Sequence, residues 1–335
     1  MNFYEETPLN LQEEENNNNN NHTNWKQVIN FISSRGKDQR SIFISALLLI
    51  VYFLILIFHG LFSKTPFYIP VAFIQLMHSL LLFLCLVADY FSNFGPDETH
   101  TYGCVRSSII CSFGISLTII LFACSLLLES FKRFLVVSYQ SEVGIPSLSA
   151  AIPHLVALII YGFGGFLLRH FSNQISQSSS PQLNSGFLIM FSGFMHSLAH
   201  FAVGFLPYLM LSDDIIEQAQ PLFHGLVSLF IINRAKEIIV PSFFILMQAT
   251  PDKLLEIFDN RSNETFLDHI IQEISLIDGI KEIKKMHFWS LTFTELVGSL
   301  HVTAKNDVNE QLITNQVHSQ FDPIIGNFTV QVEKD

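Results

Sequence analysis

Two histidines, His196 and His200, stand four residues apart within FLIMFSGFMHSLAHFAVGFLPYLM, a run free of Asp, Glu, Lys and Arg. On a helix this spacing stacks both imidazoles on one face, one turn apart. Ionisable groups in hydrocarbon are costly, usually face a bundle interior and mark ion or proton paths. Neutral imidazole also binds zinc well. The competing reading is two polar side chains hydrogen-bonding between helices. His78 adds a third imidazole at similar depth in an earlier apolar run, and three nitrogen donors with one open position make a workable zinc site. Asp89 follows His78 by eleven residues, so the two share a helix face about 16 Å apart. It could guide cations toward the buried site, or simply mark a helix end. The pattern reads as a membrane protein that handles a metal ion, with His78, His196 and His200 as its ligands.

Such ligands need helices to carry them, and uncharged apolar stretches recur along the chain. The sequence predicts helices near Ile42–Phe62, Tyr68–Ala88, Ser107–Leu128, Leu148–Leu168 and Gly186–Met210, each meeting the ~20 residues needed to cross hydrocarbon. A sixth begins at Pro221, is interrupted by Arg234, Lys236 and Glu237, and is followed by a second apolar piece, Ile238 to Met247. The expectation is that it ends near Pro241 with its charges reaching the interface, combined with a surface-lying second piece. Six crossings put both termini on one side. Lys26, Arg35, Lys37 and Arg40 argue for the cytosol, as do Arg106 and Arg169; Lys132 and Arg133, predicted on the far side, oppose this.

Composition agrees with the membrane reading. Of 335 residues, 49% are hydrophobic, 33 are Phe and only 14% are charged, well below the ~25% of soluble domains; the mean hydropathy is +0.38. A net charge of −11 gives no basic surface for nucleic acid. Residues 1–40 are polar, include the Asn16–Asn21 run, lack a signal-peptide pattern and read as a disordered cytosolic tail. Cys85, Cys104, Cys111 and Cys124 form no CxxC pair and read as membrane packing.

The composition changes after about residue 248. Phe266, Ile270, Ile271 and Ile274 make a helix face, Ile283–Phe293 and Val297–Ala304 read as strands, Val308–Phe321 as a helix and Asn327–Val332 as a last strand. The expected fold is an all-α six-helix membrane bundle (41–248) followed by a small cytosolic α+β ferredoxin-like domain (249–335). At about 80 residues, that domain's core would be completed by pairing with a second copy.

Specific motifs extend the reading. The loop from Pro96 to Arg106 resembles the second-to-third-helix loop of the cation diffusion facilitators, the zinc-transporter family: Asp97, His100, Tyr102, Gly103 and Arg106 match its pattern, while Ser108 replaces the usual acidic residue. LLLESFKRF, with Glu129, Ser130 and Arg133, resembles the end of the family's third helix. The segment from Gln220-Pro221 to Pro251 resembles its sixth, and His287 to Leu312 is similar to the branch called zinc transporter six. The resemblance implies zinc as the transported ion rather than a cofactor, exchange for protons, transport from cytosol to a lumen or out of the cell, and a homodimer or a heterodimer with another zinc transporter. It also implies a Golgi or other secretory-pathway or vesicle membrane.

In that family the metal is held by a His-xxx-Asp pair on the second helix and another on the fifth. Ile74 falls on the first ligand position and His78 on the Asp position; His196 matches the fifth-helix His, and His200 replaces its Asp. Both carboxylates have become imidazoles, so a bound dication would keep its full charge in a low-dielectric setting. The branch is associated with a non-conducting partner role, which is the alternative to conduction. Asp97 and His100 join Asp89 as accessory candidates. His154 and His224 read as structural. The Ser/Gln-rich segment 170–184 lacks a His-rich tract, and the glycosylation triplets at Asn21, Asn263 and Asn327 would face the cytosol, unused. Phosphate-binding Gly loops, nucleophile elbows and HExxH motifs are missing, so an enzyme is not expected.

Overall fold

The computed structural model describes residues 37–62, 68–137, 148–174, 181–205, 213–259, 264–321 and 325–334. Most of the expected N-terminal tail, the segment 206–212 and the Asn21 and Asn263 triplets lie outside the described residues. The bundle consists of α1 (Lys37–Phe62), α2 (Tyr68–Ser92), α3 (Ser107–Val137), α4 (Leu148–Gln174), α5 (Pro181–Phe205) and α6 (Asp213–Leu246). Five of these, α1 to α5, are long and apolar enough to cross a membrane.

The bundle is patterned for lipid. In α1, Ile42, Ala46, Leu49, Tyr52 and Leu56 are buried at steps of three and four, while Ile44, Leu47, Val51, Leu54, Ile55 and Phe58 point outward. Both faces are apolar, so burial cannot come from hydrophobicity alone. The interior is distinguished by hydroxyls: Ser41, Ser45, Ser79, Ser112, Ser116, Ser185, Ser192, Ser197, Ser228 and Ser242 are all buried. Small residues permit close helix approach where lipid supplies no hydrophobic drive between helices. The outward Phe and Leu surface would be an aggregation hazard in water; a bilayer satisfies it.

α1 packs along α2, α3 along α6 and α4 along α5; α2 and α5 also touch, which brings the helices of His78 and His196 together. α6 departs from expectation. It starts eight residues before Pro221, and runs unbroken through Pro221 and Pro241 to Leu246. Two of the interrupting charges are accommodated: Arg234 donates to both Glu237 oxygens at 2.7 Å and lies 5.9 Å above the Phe191 ring. Prolines are tolerated in membrane helices when neighbours re-satisfy the backbone. α3 also outruns its expected end, continued by the Glu129–Arg133 pair one turn apart.

The C-terminal part begins with α7 (Asp252–Leu255) and a two-stranded antiparallel pair, β1 (Ile257–Asp259) and β2 (Glu264–Thr265). Then come α8 (Phe266–Ser275), β3 (Ile280–Ser290), β4 (Leu296–Ala304), α9 (Glu310–Phe321) and β5 (Asn327–Lys334). α8 starts at a capping box: the Thr265 hydroxyl accepts from Asp268 N and the Asp268 carboxylate accepts from Thr265 N. The sheet order is β3-β4-β5, with β3 antiparallel and β5 parallel to β4. β3 stops at Ser290 instead of Phe293 because Leu291 N donates to Glu295 O at 2.8 Å and closes a tight loop. α9 starts two residues later than expected, at the Asn309 side chain, which accepts from Gln311 N at 2.9 Å.

Candidate functional site

α2 buries Gln75, His78, Ser79, Leu82, Cys85, Leu86 and Asp89 at helical spacing, and α5 buries Ser192, His196 and Ser197. Between them α4 contributes His154 and Tyr161, and α6 contributes His224.

His78 is fully buried. Its Nδ1 lies 2.5 Å from the Tyr161 hydroxyl, which itself donates to Gln75 Oε1 at 2.6 Å. A hydroxyl carries one proton, so once Tyr161 gives it to Gln75, His78 Nδ1 must be the donor in their shared bond. Neutral His78 therefore holds its proton on Nδ1. Its Nε2 lone pair faces Ser192 Oγ at 3.5 Å, a hydroxyl already donating to Ile189 O at 2.9 Å. An N–H anchored by a neighbour and a bare second nitrogen are what a ligating or proton-accepting histidine needs.

Gly193 makes this network possible. A Cβ there would sit 2.2 Å from ring carbons of Tyr161. Gly193→Ala is expected to cost about 1–3 kcal/mol through overpacking. The check is a lowered thermal-unfolding midpoint of the detergent-solubilised protein, partly restored by adding Tyr161→Val. An unchanged midpoint in the single variant would show that Tyr161 has room to move.

His196 and His200 share a ring contact of 4.5 Å between centroids, but their further neighbours are not His78. His200 stacks on His154 at 4.4 Å and 12° between planes, and meets His224 edge-on at 4.3 Å. His154 lies 6.3 Å from His196. Phe122 is a shared neighbour, with its ring 6.4 Å from His78 and 5.7 Å from His196. Of the three imidazoles singled out by sequence, two meet in a four-membered cluster and the third lies apart. Among the described residues, no three His, Cys, Asp or Glu side chains are arranged to hold a metal ion together.

His154 and His224, read from sequence as structural, are members of that cluster. Helical spacing relates residues within one run; it gives no bearing between α4, α5 and α6. The only hint was that each lies alone in an apolar stretch.

The accessory candidates are dispersed. Asp89 sits in the last turns of α2, where its carboxylate accepts from Gln39 Nε2 at 3.1 Å and its carbonyl takes hydrogen bonds from Ser92 and Asn93. It ties α1 to α2 at the helix end. Asp97 and His100 pair with each other at 3.1 Å on the exposed loop between α2 and α3. Gly103, at φ 65°, lets this loop fold back so that Cys104 N donates to Phe94 O. Hydrogen bonds from Thr99 and His100 hold the Asp97 carboxyl down to about 2. The depressed value means that the loop's carboxylate stabilisation is complete above the ordinary pKa of ~4 and vanishes as pH falls through about 2. In an NMR titration the Asp97 carboxyl should stay ionised at pH 3; a midpoint near 4 would show that these bonds do not persist.

At the end of the bundle away from Asp89, His200 and His224 line a cavity of about 80 Å³ together with Leu126, Glu129, Ser130, Arg133, Gln220 and Pro221. That volume accommodates a few waters. A chain of imidazoles thus runs from the interior to a small pocket that Glu129 and Arg133 also line.

Residues 42–247 match the family model described as the cation efflux transmembrane domain. Zinc transporter 6 of Mus musculus is 25% identical over 280 residues, covering 76% of this chain and 57% of that protein. The Bos taurus protein of that name is 26% identical over the same coverage, and that of Gallus gallus 35% identical over 91 residues, 27% of this chain and 18% of that protein. The chain therefore spans little more than half the length of the first two. With the match across the bundle and apolar helices that suit multiple crossings, this multi-pass membrane protein belongs to the cation efflux family.

Proposed function

We propose that this protein moves zinc across a membrane, from the cytosol into an organelle lumen or out of the cell, in exchange for protons. The observation that carries this reading is the imidazole cluster of His154, His196, His200 and His224 inside the bundle, in a chain whose relatives are named zinc transporters. His196 and His200 are the central ligands. His78, one aromatic ring away with its Nε2 bare, receives or delivers the ion or a proton across Phe122. Neutral nitrogens suit zinc and exclude hard cations such as Mg²⁺, which prefer oxygen. α6 acts as the sixth crossing, both termini lie in the cytosol, and rocking of the bundle alternates access to the site. The C-terminal part is an open ferredoxin-like layer that pairs with a second copy or with another zinc transporter, in a Golgi or other secretory-pathway membrane.

A second reading has its own support. Ile74 supplies no ligand, and among the described residues no three donors meet; both favour a non-conducting subunit that stabilises a conducting relative. Purified protein in liposomes loaded with a zinc dye separates the two. Zinc influx by this chain alone supports conduction. Influx that requires a co-reconstituted relative, and is indifferent to His196→Ala here, overturns conduction and supports the partner role.

A further inference from the structure

The cavity at the far end of the bundle shares His200 and His224 with the imidazole cluster and adds a carboxylate to them. His224 Nδ1 lies 2.8 Å from the Gln220 carbonyl. A carbonyl can only accept, so the proton is on Nδ1 and Nε2 carries a lone pair. That Nε2 is buried and has no hydrogen-bond partner among the described residues. Leaving a buried acceptor unsatisfied is costly, and a side-chain N–H held by a carbonyl with the other nitrogen bare is the arrangement of metal-bound histidine. Its ring touches that of His200, and Glu129 lines the same cavity. Glu129 is paired with Arg133 at 3.1 Å, and both side chains are about half exposed.

We propose a second cation site here, where α3, α5 and α6 meet: His200, His224 and Glu129 bind a borderline-soft divalent ion of the zinc, cobalt or nickel class. Glu129 supplies the anionic charge missing among the deeper imidazoles. In the arrangement seen, Arg133 occupies that carboxylate, so the third ligand becomes available when the exposed ion pair opens. Exposed pairs are worth only about 0–1 kcal/mol, and a dication competes for the carboxylate readily. Arg133 is then a plug that keeps the site weak until an ion arrives and favours release afterwards. This extends the transport reading by placing a relay between the deep histidines and the mouth of the cavity, and it rests on that reading for its role, though not for its existence.

The test is cobalt binding to the full chain in lipid nanodiscs, followed by the visible absorption bands of Co²⁺ in a His-containing, low-coordinate site. In a His78→Ala/His196→Ala background, which removes two of the three transport ligands, one Co²⁺ should still bind. Adding His224→Gln or Glu129→Gln should weaken it at least about tenfold, while Arg133→Gln should tighten it. Each variant is first required to elute as one species, and the two independent ligand variants guard against a folding defect in either. Loss of all Co²⁺ in the double-alanine background, or equal affinity with and without His224 and Glu129, would overturn the site. Absence of zinc influx with the cobalt site intact would instead overturn transport alone.

Discussion

Leucine at both His196 and His200 is expected to reduce zinc influx by at least about 10–100-fold, the loss that even supporting residues of metal sites commonly produce. His200 is the hinge of the cluster: its ring is within 4.5 Å, centroid to centroid, of His154, His196 and His224. Its removal breaks every ring-to-ring step between the interior and the cavity. Leucine, rather than alanine, keeps most of the volume and limits the collapse that a void would cause. His78→Leu is expected to have a smaller effect, because its ring stands outside the contacts that join His154, His196, His200 and His224. Initial rates of dye response in dye-loaded vesicles after zinc is added outside give the comparison. Equal rates for the double variant and the parent would remove the imidazole cluster from any conduction path.

Phe321→Ala is the second large effect, expected to destabilise the C-terminal part by about 3–5 kcal/mol. Phe321 is fully buried at the end of α9, below Ile313 and Val317 on the same face. Its ring packs against Phe328 of β5 at 4.4 Å and Phe288 of β3 at 5.3 Å, and aromatic pairs add about 0.5–1.5 kcal/mol beyond their burial. One truncation therefore loosens α9 and both edge strands together. A small domain has little stability to spare, so amide-exchange protection in β4 should fall sharply while helical circular dichroism from the bundle persists. Unchanged β4 protection would mean that the sheet stands without the aromatic cluster.

Much of the architecture is written in local patterns. The starts of α2, α3 and α4 fall where the apolar runs begin, at Tyr68, Ser107 and Leu148, because span length and uncharged composition are properties of a continuous segment. The C-terminal order of helix, two strands, helix and strand also follows from local periodicity. Boundaries moved where a side chain or turn intervened, as with Asn309 before α9 and the Leu291–Glu295 loop after β3. The unbroken α6 was not legible, because two of the charges that seemed to end it, Arg234 and Glu237, pair with each other and Arg234 lies over an aromatic ring of α5.

The site divides along the same line. Sequence alone determined that imidazoles lie at membrane depth, and that His196 and His200 share a face, since one turn of helix makes four-residue neighbours stack. Only the tertiary structure decided the rest: that His154 and His224 join that pair, that His78 stands outside their ring contacts, and that Glu129 reaches the same cavity. Spacing along a helix sets which face a residue occupies. Which residue of another helix it meets depends on the rotation and depth at which small interior side chains allow the helices to pack.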